Sequence, residues 1–174
     1  MYLVSIYFDE KTNKKLQQYI NNVAERTGNT FMLDEKVPPH ITVSAFETTD
    51  EGGAIDILNK TALKLKSGTL EWVSIGSFTP YVIFLSPVLN EYLHNMSALL
   101  YEELTKIDGI KMSPYYRPFQ WVPHSTIRKK LSRQEMKVAF DVLHNCFSPL
   151  EGTVVRIGLA KPNPHRDIAS WELM

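Results

Sequence analysis

Two stretches of the chain repeat one pattern, Pro-His-Ile-Thr-Val at residues 39–43 and Pro-His-Ser-Thr-Ile at residues 123–127. The proline in each stretch lacks a backbone donor and holds its predecessor in extended geometry, which favours a strand over a helix. Side chains alternate between the two faces of a strand, so each histidine shares a face with the threonine two residues later. The pattern therefore predicts two similar strands about half a chain apart.

The segments around these stretches match as well. β-Branched runs predict strands at 2–8, 40–46, 70–78, 81–85, 124–131, 153–160 and 168–173, the last two joined as a hairpin across 161–166. Helical periods predict helices around 16–23, 55–65, 89–104 and 136–147. Capping boxes are expected at 48–51 and 132–135, and an N-cap is expected at Ser86.

This order indicates a duplication. We expect an α+β fold of the bilobal, duplicated type, in which two antiparallel β-sheets flank a central cleft and helices cover the outer faces. An approximate two-fold symmetry would place both histidines in the cleft. The 174 residues fit a single domain, residues 1–174, made of two pseudo-symmetric lobes.

Paired imidazoles suit the cleavage of phosphoesters. The unperturbed pKa of histidine, about 6.5, allows one ring to be neutral and another charged near neutral pH. One ring, His40 or His124, would accept a proton from the attacking group, and the other would donate one to the departing oxygen. The hydroxyls of Thr42 and Thr126 would donate hydrogen bonds to phosphate oxygens. This scheme uses no metal and no cofactor.

The two motifs, each after a proline and on a predicted strand, resemble those of the two-histidine (2H) phosphoesterase superfamily, particularly its 2′-5′ RNA ligase-like members. The resemblance implies metal-independent cleavage of 2′,3′-cyclic phosphates or 2′-5′ linkages in nucleotides or RNA ends, with the reverse ligation in some members. It assigns catalysis to His40 and His124 and phosphate binding to Thr42 and Thr126. Ser125 departs from the family, where that place is usually apolar.

Three further residues are candidate substrate contacts. Alternation places Arg128 on the face of His124, where it would complete a phosphate clamp or be a solvated strand residue. Tyr116 and Arg117 lie in a proline-rich aromatic loop, residues 111–123, and could stack on a base or touch a phosphate. The other notable residues are expected to be structural or solvated: Phe119 and Trp121 as a hydrophobic plug, His94 and His144 on helices, His165 in an exposed turn, and Lys129 and Lys130 for solubility.

Composition excludes several classes of function. The chain has 19 Lys plus Arg and 19 Asp plus Glu, so it lacks the positive field that holds proteins on duplex DNA, and a small nucleotide or an RNA end is the expected substrate. A zinc site is not expected, because the sequence has no Cys pair, no His-Glu-x-x-His helix and no third His spaced with either motif. Cys146 is expected to be a buried structural thiol.

The cellular setting follows from the same features. An unpaired cysteine suits a reducing compartment, and the apolar run at 2–8 is too short for a signal peptide or a membrane span. We therefore expect a soluble, cytoplasmic protein with no membrane partner, and a monomer by default.

An enzyme is the first functional hypothesis, a metal-independent phosphodiesterase of the kind described above. The alternatives are a module that binds RNA ends or nucleotides without turnover, and a 2′-5′ RNA ligase that uses the same site. Phosphate binding alone would more naturally use Arg and Lys than two matched His-x-Thr pairs, which favours the enzyme. The similarity of the motifs leaves open which histidine is the base.

Overall fold

The computed structural model describes residues 1–162 and 164–174, so Asn163, which falls in the predicted hairpin turn, lies outside the described residues. Within them, eight β-strands, five α-helices and one 3₁₀-helix follow one another. In chain order they are β1 (Tyr2–Phe8), α1 (Glu10–Thr27), α2 (Phe31–Asp34), β2 (Ile41–Glu47), α3 (Glu51–Ala62), β3 (Gly68–Phe78), β4 (Val82–Pro87), α4 (Glu91–Leu104), β5 (Lys111–Met112), the 3₁₀-helix (Pro114–Tyr116), β6 (Ser125–Arg128), α5 (Arg133–Cys146), β7 (Leu150–Lys161) and β8 (Arg166–Glu172).

The strand and helix predictions are confirmed in kind, with differences at their ends. Both histidines lie one residue before their strands, β2 and β6, rather than within them. The strand β6 ends at Arg128 and not at Leu131, since the backbone of Lys130 has φ of 59°, outside the range that a strand allows. The short elements α2, β5 and the 3₁₀-helix have no counterpart in the prediction, because segments of two to four residues carry too little periodicity to detect.

The strands form one antiparallel sheet in the order β5-β2-β1-β7-β3-β4-β6, with β8 paired to β7 beside this path. The predicted antiparallel α+β fold is confirmed, but the two expected sheets are joined into one. The cause is β7, a strand of 12 residues. Residues 150–154 of β7 pair with β3, whereas residues 154–160 pair with β1 and residues 156–161 with β8. A strand of this length belongs to both halves of the sheet.

Two pairs of helices pack against the sheet. α1 and α5 contact each other and lie against β6 and β4, while α3 and α4 contact each other and lie against β8 and β2. Leu16, Ile20 and Val23 of α1 recur at helical spacing and are almost fully buried. Each such side chain contributes roughly 1.5–3 kcal/mol relative to an exposed position. Both helix pairs share one hydrophobic cluster.

The strands that follow the two histidines approach each other. β2 and β6 are separated by four strands in the sheet order, yet their Cα atoms come within 8 Å of one another. Antiparallel sheets twist and curve, which allows distant strands to meet. The fold therefore brings the two motifs together.

Candidate active site

His40 and His124 are held by the same local hydrogen bond. The Nδ1 atom of His40 lies 2.8 Å from the carbonyl oxygen of Pro38, and Nδ1 of His124 lies 2.8 Å from that of Val122. A carbonyl oxygen can only accept, so Nδ1 carries the hydrogen in each neutral ring and Nε2 keeps its lone pair. Each ring therefore presents a free nitrogen that can take or return a proton.

Burial and neighbouring charges act differently on the two rings. Burial lowers the pKa of His40 to about 4, against the opposing hydrogen bond to Pro38, and the positive charges of His165, His124 and Lys129 lower it further. Burial also lowers the pKa of His124, again opposed by its backbone hydrogen bond. The charge of His124 is one of those that lower the pKa of His40, so the two rings lie within electrostatic reach of each other. The local geometry is matched, but the electrostatics are not.

A bulge follows the threonine in both motif strands. In β2, Thr42 and Ser44 pair with the consecutive residues Ser5 and Val4 of β1, which leaves Val43 as the extra residue. In β6, Thr126 pairs with Phe84 of β4. The next paired residue is Arg128, opposite Ile83, so an extra residue stands at the same place in this motif. A bulge of this kind ends the simple alternation of side chains.

Arg128 is not in the cleft, because of this bulge. Directly paired residues place their side chains on the same face of a sheet, and the partner of Arg128 is the fully buried Ile83. The guanidinium of Arg128 is 0% exposed and donates through Nη2 to the carbonyl oxygen of Ile20 in α1, at 2.9 Å. The expectation that Arg128 shares the face of His124 and Thr126 is therefore wrong.

The two threonines lie in similar places with different neighbours. Thr42 is buried, and its hydroxyl lies 3.3 Å from the hydroxyl of Ser5. Thr126 is half-buried, and its strand partner Phe84 contacts the ring of His124 at a centroid distance of 5.2 Å. Both threonines thus lie on the strands that begin directly after the histidines.

Of the two loop candidates, one lies at the site. Tyr116 is half-buried next to Thr42, and while burial raises the pKa of its hydroxyl, a hydrogen bond with Thr42 lowers it. Arg117 is exposed and is absent from the walls of both cavities beside the histidines. The structure therefore places Tyr116, and not Arg117, against a motif residue.

An aromatic cavity of about 470 Å³ adjoins His124. The ring of Phe78 stands edge-on to the ring of His124, with centroids 4.9 Å apart. As expected, Trp121 is buried, but Phe119 is 80% exposed and packs against the ring of His94 with the ring planes tilted by 37°, so it does not form the expected plug. The walls are formed by Phe78, Pro114, Tyr115, Tyr116, Gln120, Trp121, Val122 and His124.

A smaller, polar cavity of about 60 Å³ adjoins His40. His165 lies there with 16% of its side chain exposed, so the prediction of an exposed turn is wrong. Lys129 also lines this cavity rather than serving only solubility. No local pattern points to either residue, because the β7–β8 turn and the end of β6 meet only in the folded chain. The walls are formed by Leu3, Ser5, Glu35, Val37, His40, Lys129, Ala160, Pro162 and His165.

Ser125, the unusual residue of the second motif, has a structural partner. The indole Nε1 of Trp72 in β3 donates to the hydroxyl of Ser125 at 3.0 Å, and both side chains are almost fully buried. A buried indole N–H requires an acceptor, which an apolar residue at this position would not supply. The polar residue at 125 therefore serves packing between β3 and β6.

No group of three or more His, Cys, Asp or Glu side chains in residues 1–162 and 164–174 is arranged to hold a metal ion. Cys146 is a free thiol, and it is half-buried rather than buried as expected. None of the described helices is both long enough and apolar enough to cross a membrane.

Comparisons with known proteins place the chain in a family. No curated protein sequence matches it. Among solved structures, Escherichia coli LigT complexed with 3′-AMP is 14% identical with a TM-score of 0.63, and TT0787 of Thermus thermophilus is 14% identical with a TM-score of 0.65. Both alignments cover 99% of this chain and 97% of the other. Usb1 of Kluyveromyces marxianus is 11% identical with a TM-score of 0.50 over 99% of this chain and 97% of its own.

At these identities the structural likeness shows the fold. The sequence evidence is independent of it: the sequence model of the 2′-5′ RNA ligase superfamily matches residues 14–166, a range that contains both His-x-Thr motifs. The chain therefore belongs to the 2′-5′ RNA ligase superfamily.

Proposed function

We propose that the chain is a metal-independent phosphodiesterase that cleaves 2′,3′-cyclic phosphate or 2′-5′ phosphodiester bonds of nucleotides or RNA ends by paired-histidine acid/base catalysis. The observation that carries this proposal is the matched pair of imidazoles. Each ring is fixed through Nδ1 by a carbonyl two residues earlier, each leaves Nε2 free, and the two following strands contact each other. Such a pair supplies one proton acceptor and one proton donor to a single phosphorus atom.

The unequal electrostatics support different roles for the two rings. His40 is neutral at neutral pH, since burial and nearby positive charges oppose its protonation, and this suits a general base. The pKa of His124 is lowered by burial, against the opposing hydrogen bond to Val122, and not by Lys129 and His165. His124 is therefore the general acid of the proposed pair. In the forward reaction His40 takes the proton of the attacking hydroxyl or water, and His124 returns a proton to the departing oxygen.

The threonines and the aromatic cavity complete the proposed site. The hydroxyls of Thr42 and Thr126 donate to the non-bridging oxygens as negative charge builds up on the phosphate. The cavity beside His124 is large enough for a nucleobase, and the exposed ring of Tyr115 and the half-buried ring of Tyr116 offer stacking faces. LigT, which shares the fold, is known in complexes with 3′-AMP, ATP and NADP+, and this supports a nucleotide substrate here.

The test is an assay of 2′,3′-cyclic nucleotides, ADP-ribose cyclic phosphate and 2′-5′ linked oligonucleotides in the presence of EDTA. We expect turnover of at least one class, and a loss of kcat of about 10²–10⁴-fold in each of His40→Ala and His124→Ala. The matched control is His144→Ala, a change on the exposed face of α5, which should leave kcat unaltered. Activity that survives in either motif variant, or that EDTA abolishes, would refute the proposal. Binding without any product would instead support a non-catalytic module.

The pH profile of kcat/KM gives a second test. Activity should rise as His40 loses its proton near pH 4 and fall as His124 loses its proton below pH 6.5. The free enzyme is then active in a bell-shaped window on the acidic side of neutrality. A profile that still rises above neutral pH would contradict these protonation states.

A further inference from the structure

The small cavity beside His40 contains polar side chains that take no direct part in the proposed proton transfers: Ser5, Lys129 and His165. Its volume of about 60 Å³ is several times the roughly 10–15 Å³ that one water molecule needs. It is distinct from the aromatic cavity, with which it shares no wall residue. The cavity adjoins the proposed base, so a group bound there would lie next to the reacting phosphate.

Lys129 brings an unpaired positive charge to this cavity. Its ammonium lies 5.0 Å from the centroid of the Phe31 ring, and in the described part of the chain no carboxylate oxygen lies within 4.0 Å of it. Burial lowers the pKa of Lys129, as does the neighbouring charge of Lys130, while Glu35 opposes this. A half-buried ammonium without an ion pair is costly unless an anion arrives to meet it.

His165 supplies a second donor. Its Nε2 atom lies 3.2 Å from a carboxylate oxygen of Asp167 but is buried and makes no well-aligned hydrogen bond. Both nitrogens of a protonated imidazole donate, so this ring can offer a hydrogen to an anion in the cavity. His165 and Lys129 come from the β7–β8 turn and the end of β6, so only the folded chain brings them to the same cavity.

In the part of the chain that the structure describes, the positive charges at this cavity have no anionic partner that accounts for both of them. The positive charges of His165 and Lys129 both oppose protonation of His40, which keeps the ring of the proposed base neutral. Glu35, on the cavity wall, and Asp167, beside His165, are the acidic groups nearby, and neither forms an ion pair with Lys129 among the residues described. The arrangement is explained if the substrate carries negative charge into this space.

We propose that the cavity formed by Ser5, Lys129 and His165 beside His40 is a subsite for a second, non-reacting phosphate group of the substrate. The inference rests on the proposed function and narrows its substrate class to nucleotides or RNA ends that carry a phosphate in addition to the one that is cleaved. Lys129 and His165 donate charge-assisted hydrogen bonds to that phosphate, and the hydroxyl of Ser5 donates a neutral one.

The test compares an adenosine 2′,3′-cyclic phosphate that carries a 5′-phosphate with the same compound without it. We expect the wild-type chain to have a higher kcat/KM for the 5′-phosphorylated compound by about tenfold or more, because the second phosphate gains two charge-assisted hydrogen bonds. Lys129→Gln and His165→Gln should each remove most of this ratio. Because the result is a ratio between two substrates, effects on the shared chemical step cancel.

Two control variants match the test variants. Lys130→Gln removes the adjacent lysine, which is exposed and lies outside the cavity, and His144→Gln removes an exposed histidine of α5. Both should keep the wild-type ratio. Equal kcat/KM for the two compounds in the wild type, or a ratio that Lys130→Gln lowers as much as Lys129→Gln, would overturn the subsite.

A binding measurement separates failure of the subsite from failure of the proposed function. If neither cyclic phosphate is turned over, the proposed activity on these substrates is refuted, and calorimetry with adenosine 3′,5′-bisphosphate and adenosine 3′-phosphate decides the second question. Tighter binding of the bisphosphate by about tenfold, lost in Lys129→Gln, supports the subsite. Equal affinities in the wild type overturn it.

Discussion

The two imidazoles take their orientation from their own local sequence. In both motifs the acceptor is the carbonyl two residues before the ring, so the bond that fixes the tautomer is carried within a segment of three residues. What differs between them is the protein around each ring, polar beside His40 and aromatic beside His124. Residues of one type and one local geometry can therefore acquire different proton affinities.

The lowered pKa of His40 links folding to pH. Between pH 6.5 and about 4 the unfolded chain binds a proton at His40 that the folded chain does not. The free energy of unfolding should therefore fall as the pH falls through this window, by on the order of 2 kcal/mol from this residue. Chemical denaturation of the wild type and of His40→Gln at several pH values measures it. The variant should lose less stability on acidification, and identical losses would contradict the pKa.

The hydrogen bond between Trp72 and Ser125 gives a prediction for stability. Ser125→Ala removes the acceptor and leaves the indole N–H buried without a partner. The free energy of unfolding should fall by about 1–3 kcal/mol, the cost of an unsatisfied buried donor. Ser148→Ala, at an exposed position, is the control in the same denaturation experiment. Equal stabilities of the two variants would show that Trp72 finds another acceptor.

At the scale of elements, the two motif strands share a bulge as well as a sequence. Each bulge comes directly after the threonine, so His-x-Thr stays on one side while the next paired residue, Ser44 or Arg128, turns to the helix-covered side. Both of these residues are almost completely buried. Because of the bulge, a side chain that faces the core, Ser44 or Arg128, follows only four residues after each candidate catalytic histidine.

Local sequence predicts the first residue of one helix correctly and those of two others wrongly. The box at Ser132 and Glu135 is confirmed, with reciprocal side-chain hydrogen bonds of 3.2 and 2.7 Å. The box at residues 48–51 is wrong: the N-cap of α3 is Asp50, while Glu51 accepts from Tyr2 and Lys161 of neighbouring strands. The N-cap of α4 is Asn90 rather than Ser86, because pairing with Trp72 extends β4 to Pro87. In both cases residues from distant strands make the competing contacts, a side-chain hydrogen bond in the first and strand pairing in the second.

The confirmed box predicts the effect of one substitution. Ser132→Ala removes the acceptor for the backbone N–H of Glu135 at the first turn of α5. The expected loss is about 1 kcal/mol in the free energy of unfolding, typical of an N-cap. Ser132→Asp, which keeps an acceptor at this position, should recover most of it. Failure of the aspartate variant to recover stability would point to a cause other than capping.

For the whole molecule, β7 is the element that joins the two halves. We propose that residues 1–174 form one monomeric domain of two pseudo-symmetric lobes, since β7 pairs with strands of both halves and one hydrophobic cluster contains residues of both helix pairs. Cooperative unfolding follows from such continuity.

Single-tryptophan variants test this unity. Trp72 lies in β3 and Trp171 in β8, and these two strands pair with different segments of β7. With the other tryptophans replaced by phenylalanine, fluorescence of each should report the same denaturation midpoint as far-ultraviolet circular dichroism. Two separate midpoints would contradict a single domain. Light scattering after size-exclusion chromatography should give the mass of a monomer.

The sequence by itself determined the features that depend on neighbours within a few residues. Prolines favoured extended backbone at the two motifs, and the alternation of side chains along a strand predicted that each histidine shares a face with its threonine. The Ser132–Glu135 box started α5 where predicted. From these the family and the antiparallel α+β fold could be anticipated.

Only the tertiary structure decided what depends on partners far away in the chain. The registers of β2 on β1 and of β6 on β4 created the bulges that removed Arg128 from the cleft. The length of β7 merged two expected sheets, and the folding of the β7–β8 turn beside His40 brought His165 and Lys129 into one cavity. Pairing register and cavity walls are set by contacts between distant segments, and these leave no local pattern in the sequence.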